Sequence, residues 1–191
     1  LRLDGNELIS LPNGIWNLTS LTELKLNNNN LEALPTSIWN LVNLPNLNLT
    51  WNNLTSLPDE IWNLINLTAL WVSTNELTTI PSTIWNLSNL TDLGLNSNPI
   101  TTLPSTIWNL SNLDSLGLRH NSLTSLPAEL ANLTNLRSLP LFSVDWNGLW
   151  ELAYWFFYYD TTLKTQDNIT PEWYTMSIQW NWTTLDITVT Q

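Results

Sequence analysis

The sequence contains no cysteine, which excludes disulfides, thiolate metal sites and cysteine nucleophiles. Histidine occurs once, as His120, so a histidine-rich zinc cluster cannot be assembled from this chain. Cations are scarce: five Lys and Arg stand against 16 Asp and Glu, for a net charge of −11. That balance opposes nucleic-acid binding, where phosphates must be neutralised by basic side chains. Charged residues of both signs make up 11% of the chain, against about 25% in ordinary globular proteins. No apolar run approaches the ~18 residues that a membrane-spanning helix needs. Glycine is also scarce, at 5 residues, while tryptophan is abundant, at 13. What is present is apolar material: 43% of 191 residues is hydrophobic, enough for a core and too much for a disordered chain. The length suits one domain, or one domain with a small appendage.

The chain repeats itself every 23 residues, without insertion or deletion, in units beginning at Leu21, Leu44, Leu67, Leu90 and Leu113. Residues 1–20 are the same unit without its first three positions, so the solenoid reads as truncated at its N-terminal side. A seventh unit begins at Leu136 and loses the pattern after Leu141. Apolar residues occupy unit positions 1, 4, 6, 11, 14, 18 and 21; in one unit these are Leu21, Leu24, Leu26, Leu31, Leu34, Ile38 and Leu41. Position 9 is always asparagine (Asn6, Asn29, Asn52, Asn75, Asn98, Asn121) and position 15 always proline, from Pro12 to Pro127.

This pattern, LxxLxLxxNxLxxLPxxI..L, resembles the leucine-rich repeat family, of a bacterial-like type, over residues 1 to about 142. The resemblance implies an α/β solenoid. A parallel sheet lines its concave face, and short helical or 3₁₀ turns line its convex face. The physics points the same way. Leucines that alternate with period two face one side of a strand. One 23-residue unit cannot bury them alone, whereas stacked units bury them against each other. Asparagine carries a donor and an acceptor, so a buried Asn column is expected to satisfy the backbone of adjacent turns.

Residues 143–191 differ in composition, with YWFFYYD at 154–160 and two alternating runs, TMSIQ and LDITVTQ. These runs read as a β-hairpin turning at Trp180–Trp182. The expected domain organisation is therefore a solenoid over 1–142 and a β-rich cap, or the start of a β-module, over 143–191.

Trp16, Trp39, Trp62, Trp85 and Trp108 fill one column, at position 19, where the sixth unit has Ala131. The family resemblance implies a small residue there, often glycine. Trp71 aligns with Gly94 and Gly117, and Trp51 with Gly5. Two readings stand open: a tryptophan ladder along the solenoid, or glycines encoded by UGA, which some bacterial codes read as glycine and others as tryptophan.

The sequence places small and polar residues on the concave face, with charges at its two ends. Candidate ligand contacts there are Lys25, Asn48, Trp71, Asp92, Asp114, Arg119, His120 and Arg137, the last five expected within neighbouring strands. The reading is a non-catalytic protein-binding module. The alternative is a structural or adhesive spacer in a bacterial surface protein. No catalytic residue, metal or cofactor is assigned: Asp92 and Asp114 on an open sheet have nothing to exclude water, and His120 has no nucleophile beside it. A protein partner is expected, with a cell-surface or secreted location favoured over a cytoplasmic one. Ten N-x-S/T sequons occur, most of them products of the repeated NLT and NLS, and are read as structural.

Overall fold

The computed structural model describes residues 1–136, 175–181 and 184–190. Strands and 3₁₀ turns alternate through the repeats. The strands are β1 (Leu24–Lys25), β2 (Asn46–Asn48), β3 (Ala69–Trp71), β4 (Asp92–Gly94) and β5 (Ser115–Gly117). The turns are η1 (Asn13–Asn17), η2 (Thr36–Asn40), η3 (Asp59–Asn63), η4 (Ser82–Asn86), η5 (Ser105–Asn109) and η6 (Ala128–Asn132). β1 to β5 form one parallel sheet in chain order, and Arg2 adds an isolated bridge to Lys25. The register equals the repeat: Leu24 pairs with Leu47, Leu47 with Leu70, Leu70 with Leu93 and Leu93 with Leu116. The chain therefore forms the solenoid of stacked parallel strands that the family resemblance implies.

Each proline opens a turn. Pro35, at φ −71° and ψ 150°, is extended and precedes η2, and its carbonyl accepts the N–H of Ile38 at 3.1 Å. The Ile38 carbonyl then accepts the N–H of Leu41 at 3.1 Å. The same two bonds recur in every described unit from Pro12 to Pro127. Five residues between a proline and the next buried leucine leave room for 3₁₀ pieces and not for a longer α-helix. That resolves the convex side as 3₁₀.

The apolar columns are buried in one continuous core. Leu47, Leu49, Leu54, Ile61, Leu64 and Leu67, all from neighbouring columns, are 0% exposed. The asparagine column is buried with them, Asn98 at 2% exposure. Its bonds are the same in successive units from Asn29 to Asn98. Asn75 Oδ1 accepts the Leu54 N–H at 3.0 Å, and Asn75 Nδ2 donates to the carbonyls of Leu49 and Val72, each at 3.0 Å. The Leu49 carbonyl also accepts from Asn52 at 3.0 Å, so one oxygen serves two units. A side chain with donors and an acceptor at one point is what this geometry requires.

A second asparagine column, at position 23, was not singled out by the periodicity. Asn43, Asn66, Asn89, Asn112 and Asn135 are exposed on the turn side. Each donates to a carbonyl of the preceding unit, respectively Thr19, Val42, Ile65, Ser88 and Ser111, at 2.8–2.9 Å.

Near the C-terminus β6 (Thr175–Asn181) and β7 (Thr184–Thr190) form an antiparallel hairpin. The hairpin is as expected, but its turn is displaced. Trp180 pairs with Leu185 and Asn181 with Thr184, so both belong to the ladder. The connection is residues 182 and 183, which lie outside the described residues.

Candidate functional site: the concave sheet

Alternation decides which side chains the sheet presents. Positions 4 and 6 of each unit point into the core, so positions 3, 5 and 7 point out. In β2, Leu47 is buried while Asn46 is exposed and Asn48 half-buried. In-register pairing then sets position 5 in one row across five strands: Lys25, Asn48, Trp71, Gly94 and Gly117. Position 3 forms a second row, in which Asn46, Ala69, Asp92 and Ser115 are consecutive partners. Neighbouring residues of a row stand about 4.8 Å apart, the spacing of hydrogen-bonded strands.

The N-terminal end of this face carries charge of both signs. Glu23 Oε1 lies 3.4 Å from Lys25 Nζ and 3.7 Å from an Arg2 guanidinium nitrogen. The middle is uncharged. Asn48 is tied to its own strand exit, its Oδ1 accepting the Thr50 N–H at 3.0 Å. Trp71 is 37% exposed, and its Cδ1 lies 3.0 Å from the point a Cβ on Gly94 would occupy. The indole therefore rests on the bare backbone of the next strand. A Cβ on Gly117 would stand 2.6 Å from Asn96 Nδ2. Glycine at 117 thus lets the Asn96 side chain lie across β5, where its Oδ1 accepts the Arg119 N–H at 2.8 Å. Sequence reading missed Asn96; the signal was a position-7 Asn one unit before a position-5 Gly.

The candidate residues toward the C-terminal end are spread more widely than expected. Asp92 lies within β4, and its Oδ2 is 3.0 Å from the Thr91 hydroxyl. Asp114, Arg119 and His120 do not lie within strands. Asp114 immediately precedes β5, and Arg119 follows it by two residues. His120 is exposed at φ 54°, in the left-handed turn that ends the strand. Because β5 has only three residues, positions 2, 7 and 8 of the unit fall on its flanks. Asp92 pairs in register with Ser115, not Asp114, so the two carboxylates belong to different rows. Arg137 lies outside the described residues. Among the described residues no three His, Asp or Glu side chains converge as metal ligands.

The turn side holds a depression of about 410 Å³ between η4 and η5, lined by Trp85, Asn86, Trp108 and Asn109 among others. It lies away from every candidate contact. The concave sheet itself is an open array on rigid elements, suited to a surface rather than an enclosed small molecule.

A family profile described as "Leucine-rich repeat region" matches residues 36–154, and one described as "Leucine Rich Repeat" matches residues 20–41. The chain belongs to the leucine-rich repeat family. Solved structures agree. A leucine-rich repeat protein of Leptospira interrogans is 36% identical with a TM-score of 0.70, over 76% of this chain and 38% of that one. The ectodomain of the Arabidopsis thaliana membrane receptor kinase GASSHO1/SCHENGEN3, solved in complex with CASPARIAN STRIP INTEGRITY FACTOR 2, is 34% identical with a TM-score of 0.65. That match covers 71% of this chain and 17% of the receptor. An internalin of Listeria monocytogenes is 28% identical with a TM-score of 0.63, over 80% of this chain and 45% of that one. The chain thus spans less than half the length of each of these structures. No curated protein matches it. Leucine-rich repeat solenoids of this kind are protein-interaction modules. No helix among the described residues is long and apolar enough to cross a membrane.

Proposed function

We propose that this leucine-rich repeat solenoid is a non-catalytic recognition module that binds a protein or peptide along its concave sheet. The observation carrying this reading is the in-register row from Lys25 to Gly117, five positions fixed at strand spacing on one rigid face. Its centre is uncharged, with Asn48, Trp71 and Gly94 side by side, and charges flank it: Lys25 and Glu23 at one end, Asp92, Asp114, Arg119 and His120 toward the other. Arg137 belongs to the same proposed contact set by its place in the repeat. A long strip of this kind fits an extended segment of a partner, whose charge pattern sets register more than affinity. The complex of the plant receptor ectodomain with CASPARIAN STRIP INTEGRITY FACTOR 2 supports the reading, as does the plant peptide hormone receptor RGFR1 solved with RGF2, 34% identical with a TM-score of 0.64. The proposed unit boundaries are a solenoid over 1–142 and a β-rich unit over 143–191. A cell-surface or secreted location, favoured over a cytoplasmic one, is part of the same proposal and is supported by the likeness to a receptor ectodomain.

The test is affinity capture with quantified binding, comparing three proteins. Reversing Lys25 and Arg119 together to Glu is expected to lower affinity for the captured partner at least tenfold. Ser111→Glu, exposed on the turn side, is expected to leave it unchanged. Equal affinity of the parent and the doubly reversed protein moves the site to the turn side or the β-rich unit, and favours the spacer role. Hydrolase or transferase turnover by the purified chain, lost on Asp92→Asn, would replace the binding module with an enzyme.

A further inference from the structure

We propose that the tryptophan column is glycine in the protein as its own cell makes it: the gene carries UGA at these positions, and that cell decodes UGA as glycine. The packing supplies the first reason. Trp16, Trp39 and Trp85 are 0%, 1% and 0% exposed, and the indole Nε1 of all three is buried without a hydrogen-bond acceptor. A buried donor left unpaired costs free energy, and native structures contain few. Here the same defect recurs at the same position of three units. The buried asparagine column by contrast finds its partners in four units, where the Oδ1 atoms of Asn29, Asn52, Asn75 and Asn98 each accept a backbone N–H, while Asn121 Oδ1 does not. A genuine tryptophan ladder is expected to have found its acceptors in most units too.

The turn itself does not need an indole. The sixth unit has Ala131 in this column, yet η6 keeps the five-residue span of the other turns. Its closing bond, Leu133 N–H to the Leu130 carbonyl, is 3.1 Å, as in η5. Nor does the column offer the indole a consistent seat. η4 and η5 have the identical sequence STIWN, but Trp85 is fully buried and Trp108 is 50% exposed.

Two further positions agree from independent geometry. Trp51 stands at φ 61°, in the left-handed region, in the column where Gly5 stands at φ 69°. Asn, Thr, Ser and His share that column, so glycine is not obligatory there, but a bulky Trp, like the β-branched Thr74, is disfavoured at positive φ where glycine is not. Trp71 lies in register with Gly94 and Gly117, and its ring covers glycine backbone. Composition closes the argument: 13 Trp against 5 Gly inverts the usual order, in which glycine is about 7% of residues. The device required is a glycine tRNA whose anticodon pairs with UGA.

One consequence bears on the concave face. Glycine at 71 would join Gly94 and Gly117 in a row free of side chains across β3, β4 and β5. The proposed binding role does not depend on this, because it rests on strand register and not on the residue at 71.

Two measurements decide the proposal. The gene is expected to carry UGA at codons 16, 39, 51, 71 and 85; UGG at any of the three buried positions, 16, 39 or 85, overturns it. The protein isolated from its source organism, cleaved at acidic residues and sequenced by tandem mass spectrometry, is expected to show the glycine residue mass at all five. Tryptophan mass at position 16, 39 or 85 overturns the proposal even where the codon is UGA.

Discussion

Two asparagine columns run along the solenoid, and the contrast between them shows what burial does to one side chain. At position 9, Asn29 to Asn121 leave the strands and sit inside the core at 2–8% exposure. At position 23, Asn43 to Asn135 leave the 3₁₀ turns and stand in solvent. Both columns donate to carbonyls of the preceding unit, at similar distances. The difference lies in the alternative open to each partner. A carbonyl in solvent exchanges its asparagine for water at little cost, whereas a buried group has no replacement. The two columns are equally regular and unequally important.

The contrast is broken first at its stronger side. Asn75→Ala removes one acceptor and the donors to three carbonyls. The Leu49 and Val72 carbonyls keep a second donor, in Asn52 and Asn98. The orphan is the buried Leu54 N–H, which loses its acceptor, and an unpaired buried donor costs about 1–3 kcal/mol. Denaturant unfolding is expected to show that loss with little change in slope. Stability equal to the parent would mean that water enters and replaces the amide. The exposed counterpart, Asn66→Ala, loses only the donation to the Val42 carbonyl at 2.9 Å. Its expected effect is within about 0.5 kcal/mol, the range of surface substitutions. A loss as large as that of Asn75→Ala would show that the turn side is held by its asparagines and not by the core beneath them.

Legibility in the sequence follows the same division. The buried columns could be read because burial tolerates few residues: Leu26, Leu49 and Leu95 admit only Val72 as a variant, and Asn29 to Asn121 admit none. The period also gave the strand register, since parallel pairing of identical units requires an offset of one repeat. The position-23 asparagines were equally regular, but an exposed polar residue looks the same whether or not it bonds. Short-range geometry was also hidden. The choice of 3₁₀ over α rests on the spacing between Pro35 and Leu41. The placing of Asp114, Arg119 and His120 outside β5 rests on where a three-residue strand ends. The Asn96–Arg119 bond depends on the absence of a Cβ at Gly117, a contact between units that no single-unit pattern contains.

The weakest expected effect tests the contrast from the charged end of the sheet. Glu23 faces both Lys25 at 3.4 Å and Arg2 at 3.7 Å, but the three side chains are 38–69% exposed. Ion pairs of that exposure contribute about 0–1 kcal/mol, because water screens them and long side chains lose entropy when held. Glu23→Gln keeps the shape and removes the charge, so it is expected to cost less stability than Asn75→Ala at low salt. In ~1 M salt, where the screening length falls to about 3 Å, the difference from the parent is expected to vanish. Thermal unfolding of both proteins at the two salt concentrations measures it. The sign is fixed by the charges: losing the carboxylate leaves Arg2 and Lys25 without their shared counter-charge, so the variant is the less stable at low salt. A loss that persisted in high salt would mean that the Glu23 side chain holds the edge strand through packing, and that the exposed face of the sheet contributes to stability as its buried face does.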